Sequence, residues 1–462
     1  MKRQNRIAFF NILSTLLLRG ISIFTAPLFS RLLGTNNYGV SDICNTWVSV
    51  FAIVFTLQTQ GTLVNARVEY PEDLQRKYQS SAMSMSVMLY ALCAGLMLLF
   101  LPTVSAALKL DKILIVLMLV QAFGTFCVNF LHQKFVYEFK AGRNMVLSLG
   151  VTLLTLVLSL IFVLRLPKEI NYLGRVGAVT ATYALIGIPA CVYILAKGRT
   201  FVSKQFWKFC IVLAIPSVFY NLSDLLLGVG DKLMLQQMLG EAQVGQYSLA
   251  LKLGGVMFTI FAALNNTWCP FFFEEMKLGQ REKMMAKSRN FLELYTVLSV
   301  GFILLATEVY HLYADRSFWG STMLIPLFVT NYYLNFLCTF PVNYEYYHKK
   351  TKVVAAVTIF SSLVNLGLNY VLIQKLGMAG AALATMSSHC LQLGIHYVYN
   401  RYILGRLDYP FAIRVWGKYA LAYFAMVAFV YLSGEAWLIR WAIGAAIGVW
   451  ELLRIRKRKV LI

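Results

Sequence analysis

Acidic residues are scarce in this chain. Its 462 residues include 20 Asp and Glu against 42 Lys and Arg, and charged residues of both signs make up only 13%. An ordinary soluble domain carries about 25%, so a water-facing surface of usual composition is excluded. Cysteine is sparse and dispersed. Cys44, Cys93, Cys127, Cys191, Cys210, Cys269, Cys338 and Cys390 lie singly in apolar segments, with no CxxC and no Cys/His cluster. Neither a zinc site nor a disulfide frame is indicated. No P-loop, GxSxG or DxD-like nucleotide-sugar motif occurs, and connections between apolar segments are short. No catalytic residue, metal site or cofactor is therefore expected. No stretch reads as a cleavable signal peptide, because the first apolar segment is too long and lacks a small-residue cleavage site.

Apolar residues are abundant, at 59%. Stretches of about 20 residues, each long enough to cross the hydrocarbon core, recur at roughly 7–30, 41–63, 79–104, 110–131, 144–165, 175–196, 208–230, 244–267, 290–311, 321–342, 353–373, 379–399, 415–432 and 436–453. The chain also repeats itself. LGRVGAVTAT from Leu173 returns as LGMAGAALAT from Leu376, with six of ten positions identical. LLGTNNYG from Leu32 matches MLGEAQVG from Met238, and Tyr137-Glu138 matches Tyr344-Glu345, at nearly the same offset. Internal repeats of this size mark transporters whose substrate path lies between the halves. The prediction is an all-α integral membrane protein of about 14 transmembrane helices. Two six-helix repeats, 1–200 and 201–405, surround a central cavity, and 406–462 adds two helices and a basic tail.

The excess of positive charge, +22, does not point to nucleic acid. With the N-terminus inside, inside segments collect 30 of the 42 Lys and Arg, including a charged linker at Glu274–Asn290, and outside segments ten. That is the positive-inside pattern of a multi-pass cell-membrane protein. An even helix count then puts both termini in the cytoplasm.

Polar residues at bilayer depth are costly and usually face protein or water. Four predicted helices carry them at steps of three and four, hence on one face. The first holds Asn11, Thr15, Arg19 and Ser22, and the second Asn45, Ser49, Thr56 and Thr59. The seventh holds Ser217, Asn221, Asp224 and Asp231, and the eighth Ser248, Lys252, Thr259 and Asn266. Tight helix packing would also use Ser, Thr and Gly. It is a poor account of Arg19, which lies mid-helix, where arginine costs about 2.5–3.5 kcal/mol on insertion scales. Lys252 reads as a second cavity cation, and Arg31 as an outer-mouth residue that either anchors the helix or touches substrate. Asp224 and Asp231, seven apart, either bind a coupling ion or balance Lys232 and Arg19. His389 and His396 share a helix face and read as buried core histidines. A cationic cavity suits an anionic substrate, and the membrane setting suits one with a lipid tail.

FSRLLGTNNYGVSD (Phe29–Asp42), DKLMLQQMLGEAQVGQYSLALKL (Asp231–Leu253) and the LGxxGAAxAT pattern closing each half carry a family resemblance. The chain resembles the polysaccharide flippases of the multidrug/oligosaccharidyl-lipid/polysaccharide exporter superfamily, which includes O-antigen and capsule repeat-unit translocases. The resemblance covers essentially the whole chain. It implies two six-helix bundles working by alternating access on an undecaprenyl-pyrophosphate-type oligosaccharide. It also implies membrane lipids, a polysaccharide polymerase and glycosyltransferases as partners. Substrate contacts are expected from Arg19, Arg31, Asn45, Asn221, Lys252 and Asn266, and ion coupling from Asp224 and Asp231. Lipid II flippases carry basic residues on the first, second and eighth helices. Arg19 and Lys252 match, but the second helix has no Lys or Arg before Arg67, which speaks against that substrate. Drug exporters often use an acid in the first helix, and residues 7–30 contain none. A membrane-embedded polymerase would need a sizeable outside loop, which this chain lacks.

Overall fold

The structure, a computed structural model, describes residues 2–404, 409–411, 413–434 and 436–458. Among these are fourteen α-helices and no strand. In hydrocarbon every backbone N–H and C=O must be met within the chain, and a helix does this locally. The helices are α1 (Lys2–Thr56), α2 (Leu63–Glu69), α3 (Glu72–Leu99), α4 (Leu101–Leu108), α5 (Lys112–Tyr137), α6 (Ala141–Arg165) and α7 (Asn171–Gly198). They continue with α8 (Lys204–Leu239), α9 (Glu241–Leu278), α10 (Arg281–Tyr313), α11 (Ile325–Tyr347), α12 (Thr351–Val398), α13 (Ile413–Ser433) and α14 (Trp437–Arg458).

Ten helical stretches among the described residues are long and apolar enough to cross a bilayer. The fourteen predicted spans are found with a different division. α1 and α12 each hold two spans, broken at Gly34 (φ 70°, ψ 178°) and Gly377 (φ 59°, ψ −136°). The short α2 and α4 add none. α13 and α14, with 21 and 22 residues, are each long enough for one crossing. The stretch Glu274–Asn290, expected as a linker, is helical on both sides of Gly279. The seventh span, expected to end near 230, runs on to Leu239. Asp231 and Lys232 therefore lie buried within α8, and not in an outer loop.

By packing, the chain divides into unit 1, Met1–Gly245, and unit 2, Gln246–Ile462. The sequence repeat turns over near residue 200, but α8 packs on α1 and α3 and so belongs to unit 1. In unit 1, α7 lies against α3, α5 and α6. In a buried cluster of the unit, Phe206 packs edge-on against Tyr70 and Tyr78. Thr62 bridges Tyr78 Oη at 2.6 Å and Cys210 Sγ at 3.6 Å there. In unit 2, Tyr333 of α11 stacks on Tyr423 of α13 at 4.0 Å between ring centroids. The last helix is pinned to α10 at two levels, by Arg440 with Glu308 and by Arg454 with Glu293. Offset stacking and edge-on packing of rings favour one arrangement over others of equal buried area.

The repeat can be placed in register from the backbone. Gly34 and Gly240 both adopt positive φ with ψ 178°. Gly39 approaches Glu241 so closely that a Cβ would strike its carbonyl oxygen, and Gly245 approaches Thr35 in the same way. These reciprocal contacts share an offset of 206 residues. Gly174 abuts the backbone of Phe162, and Gly380 that of Leu372, so Gly174 corresponds to Gly380 at the same offset. The sequence match instead aligned Gly174 with Gly377, which forms the break in α12. Three residues rotate a helix by about 300°, so small residues face nearly alike in both registers. The Tyr-Glu match is displaced too. Lys140 N bonds Phe135 O past Phe139 (φ 56°), and Lys350 N bonds Glu345 O past Lys349 (φ 57°). Superposing these turns pairs Glu138 with His348, at an offset of 210.

Candidate functional site

Unit 1 contains a cavity of about 340 Å³, bordered by both halves of α1 with α5, α6 and α7. That lies at the lower end of the usual ligand-pocket range of about 300–1,000 Å³. Its wall is mixed. Asn45 and Ser49 come from α1, Gln121 and Thr125 from α5, and Thr152 and Thr155 from α6, among Val48, Val151, Leu156 and Val179. Such a wall follows from the sequence. Each polar residue lies one turn from another on the same helix, so each pair shares a face.

Arg175, on the first turns of α7, is the charged residue among the described lining residues. Its guanidinium lies over the Phe29 ring at 4.1 Å and the Tyr38 ring at 5.2 Å from the centroids. Both rings are buried, so the guanidinium plane is held in place by stacking. Its Nη1 is buried with no hydrogen-bond partner, as are Gln121 Oε1 and Thr155 Oγ1. A buried polar atom left unmet costs about 1–3 kcal/mol. Other buried side-chain atoms of the described residues also lack partners, but these three share one cavity wall. Gln121 uses its other amide atom, donating from Nε2 to Asn45 Oδ1 at 2.9 Å. Asn45 in turn donates to Ser41 O at 3.0 Å.

The predicted site residues are distributed as follows. Asn45 lines the cavity. Arg31 is exposed near the Gly34 break of α1. Arg19 lies in α1, but its side chain is outside the described residues. In α8, Asn221 is half-buried, Asp224 exposed and Asp231 buried, with Asp231 Oδ1 accepting from Lys232 N at 2.9 Å. Lys232 Nζ pairs with Asp42 Oδ2 at 2.8 Å, and both are buried. The acid facing Lys232 across helices is thus Asp42, which the sequence reading had not singled out. In unit 2, Lys252 is half-buried and Asn266 exposed on α9. His396 is fully buried, as expected, with Nδ1 2.8 Å from Glu345 Oε1. Sequence reasoning missed Arg175 and read it as an outside-loop cation. A signal was present: it lies inside the repeated LGxxGA motif, where the other copy has no charge.

A polar cavity walled by helices long enough to cross a membrane, in a chain of two repeated helical halves, defines a multi-pass membrane architecture. Solved structures share this fold. A lipid II flippase, MurJ, in an inward closed conformation shares the fold over 98% of this chain and 100% of that one, with TM-score 0.74 and 15% identity. An inward-facing multidrug resistance transporter of the MATE family, in the MOP superfamily, matches over 86% of this chain and 95% of its own, with TM-score 0.66 and 15% identity. Sequence narrows the class. A family model described as polysaccharide biosynthesis protein matches residues 6–276, more than half of the chain, and the chain belongs to that family. A curated relative, an uncharacterized membrane protein of Haemophilus influenzae, is 25% identical over 139 residues. The match covers 30% of this chain and spans about a third, 34%, of that relative.

Proposed function

We propose that this protein is a flippase, not an enzyme, which moves lipid-linked oligosaccharide repeat units from the cytoplasmic to the outer leaflet for cell-surface polysaccharide synthesis. The carrier is of the undecaprenyl-pyrophosphate type, and transport is by alternating access. The observation that carries this reading is the polar cavity inside the helical bundle of unit 1. A sugar chain brings many hydroxyls, and each one unmet in hydrocarbon costs several kcal/mol. A cavity lined by hydroxyl and amide groups removes much of that cost while the lipid tail stays in the bilayer. Family membership supports the same substrate class. The absence of an acid from residues 7–30 favours it over a cation-coupled drug exporter.

In this reading Arg19, Arg31, Asn45, Asn221, Lys252 and Asn266 contact substrate, and Asp224 and Asp231 couple an ion. Both termini are cytoplasmic. A thiol reagent added from outside should reach a cysteine at position 316 and miss one at 283. A polymerase and glycosyltransferases would be functional partners.

The test uses proteoliposomes holding a fluorescent polyprenyl-pyrophosphate oligosaccharide. Wild type should speed its exchange between leaflets at least tenfold over protein-free vesicles. Arg19→Ala should abolish the gain at equal protein level. Acceleration of lipid II or a cationic drug, with none for the oligosaccharide, overturns the reading.

A further inference from the structure

We propose that the cavity of unit 1 is an oxyanion-and-sugar subsite, in which Arg175 grips one anionic group and Gln121 and Thr155 receive the hydroxyls beside it. The proposal rests on the flippase reading for its physiological ligand, but not for its chemistry. Three observations carry it.

The first is complementarity of the unmet atoms. Arg175 Nη1, Gln121 Oε1 and Thr155 Oγ1 are buried without partners, and all three belong to residues lining the same cavity. A guanidinium nitrogen only donates, an amide oxygen only accepts, and a hydroxyl does both. The ligand that meets all three offers an acceptor, a donor and a group able to do either. A phosphate or carboxylate next to sugar hydroxyls has that set. An aromatic cation does not.

The second is charge. No Asp or Glu is among the described lining residues. The nearby acid of α1, Asp42, lies one turn beyond Tyr38 and is already paired with Lys232 at 2.8 Å. Arg175 makes no salt bridge among the described residues; it stacks on the faces of Phe29 and Tyr38 and feels the Asp42 carboxylate only at longer range. A stacked guanidinium keeps its in-plane N–H fork available, and that fork matches a single phosphate or carboxylate in bidentate fashion.

The third is asymmetry between the repeats. At the offset fixed by Gly174 and Gly380, the counterpart of Arg175 is Ala381, which is fully buried. A cation kept for packing or for topology has no reason to point into a polar cavity in one half only.

The shared chemistry is an oxyanion beside hydroxyls. It can come from the phosphate of the lipid carrier or from an acidic sugar, and binding to detergent-purified full-length protein separates them. Three probes are used: a polyprenyl phosphate without sugar, a lipid-free oligosaccharide containing a uronic acid, and a lipid-free neutral oligosaccharide. Arg175→Gln should weaken at least one anionic probe tenfold or more, the loss expected for a charge-assisted hydrogen bond. The probe that weakens identifies the source. Arg175→Lys should weaken it less, since the charge remains and the fork is lost. Thr155→Val, close to isosteric, should weaken the sugar-bearing probes and leave polyprenyl phosphate unchanged. Wild type that binds no probe, or Arg175→Gln that binds both anionic probes like wild type, would overturn the subsite. So would equal losses for neutral and anionic probes in Arg175→Gln. If Arg175→Gln yields no monodisperse protein, Arg175→Lys decides by the same criteria, and Thr155→Val that binds every sugar-bearing probe like wild type also overturns the subsite. The flipping assay keeps the two proposals apart. Arg175-dependent binding with no flipping by wild type removes the flippase reading alone. Normal flipping by Arg175→Gln removes the subsite alone.

Discussion

On α6 of unit 1, Thr155 and Ser159 stand one turn apart at the edge of the cavity. In unit 2 the positions in the same register on α12 are Asn365 and Asn369, both fully buried. There Asn369 Nδ2 donates to Asn365 Oδ1 at 2.9 Å, and Asn365 Nδ2 donates to Thr385 Oγ1 at 3.3 Å. The counterpart of Thr385 in unit 1 is Val179, and that of Ala381 is Arg175. An amide reaches further than a hydroxyl and carries both a donor and an acceptor. Unit 2 therefore links its amides to one another, with Asn369 Oδ1 left over. Unit 1 has shorter hydroxyls and one long cation at the matching places, and Thr155 Oγ1 and Arg175 Nη1 stay unmet. The same helical frame thus supports a hydrogen-bonded amide ladder in one half and a ligand-sized polar cavity in the other.

The comparison is tested most severely by exchanging its extreme members. Ala381→Arg would bury an unpaired charge where Ala381 has no exposure. An uncompensated buried charge costs about 3–5 kcal/mol, a large part of a typical folding free energy of about 5–15 kcal/mol. Size-exclusion profiles should show loss of the monodisperse protein. A normal profile and melting temperature would mean that unit 2 has room for the guanidinium, and the contrast with unit 1 would fall.

A smaller effect on folding and a large one on transport is expected from Thr155→Asn with Ser159→Asn, which builds the unit 2 ladder into unit 1. Flipping should drop at least tenfold, with the melting temperature in detergent held or raised. Unchanged flipping would detach the cavity from transport. The converse change, Asn369→Ser, removes one hydrogen bond and leaves Asn365 Oδ1 unmet, at about 1–2 kcal/mol. The melting temperature should fall by about 2–4 °C, with less effect on flipping than the double variant in unit 1.

The smallest effect concerns the turn after α5, beyond the membrane span. Glu138 binds Lys134 at 2.8 Å and Lys140 at 2.5 Å. Partial burial pushes its carboxyl up, but hydrogen bonds and charge from the two lysines outweigh that and hold it below the ordinary 4.5. With the folded value below the unfolded one, the pairing stabilises above about pH 4.5 and is lost as pH falls through the folded value. Glu138→Gln should lower the melting temperature at pH 7 by about a degree or less. The gap to wild type should close in acid. In unit 2 the matching turn carries His348, whose pKa is held below 6.5 by partial burial and Lys350, so His348→Gln should match wild type at pH 7 and, if anything, exceed it in acid. A gap there of equal size would erase this difference between the halves.

Several of these features could be read from residue order. The Leu-Gly pairs at Leu33-Gly34 and Leu239-Gly240 announced the repeat, and both glycines do adopt the positive φ that other residues avoid. The match at Leu173 and Leu376 was real as a repeat but three residues out of register, because nearly a full turn of helix hides such a slip from any pattern of small residues. Asn45 and Ser49 of the predicted stripe on α1 do line the cavity. Arg175 was not placed there, because it lies only four residues after the start of α7. Nothing in the order of residues separates a cation that reaches outward to water from one folded back over Phe29. Lys232 was misplaced for a related reason: α8 continues nine residues past the apolar run that marked its end.

The sequence by itself determined a membrane-spanning, all-helical chain built from a repeat. Apolar runs of bilayer length have no other way to satisfy their backbone, and that requirement is local. Only the tertiary structure decided which polar side chains consume one another and which remain open. Asp42 meets Lys232 across 190 residues, Asn365 meets Thr385 across 20, and Gln121 reaches Asn45 across 76. Among the described residues Arg175 stacks on the faces of two rings and has no hydrogen-bond partner at Nη1. Hydrogen bonds act over about 3 Å, so whether such a group is paired or left for a ligand depends on which helices lie side by side.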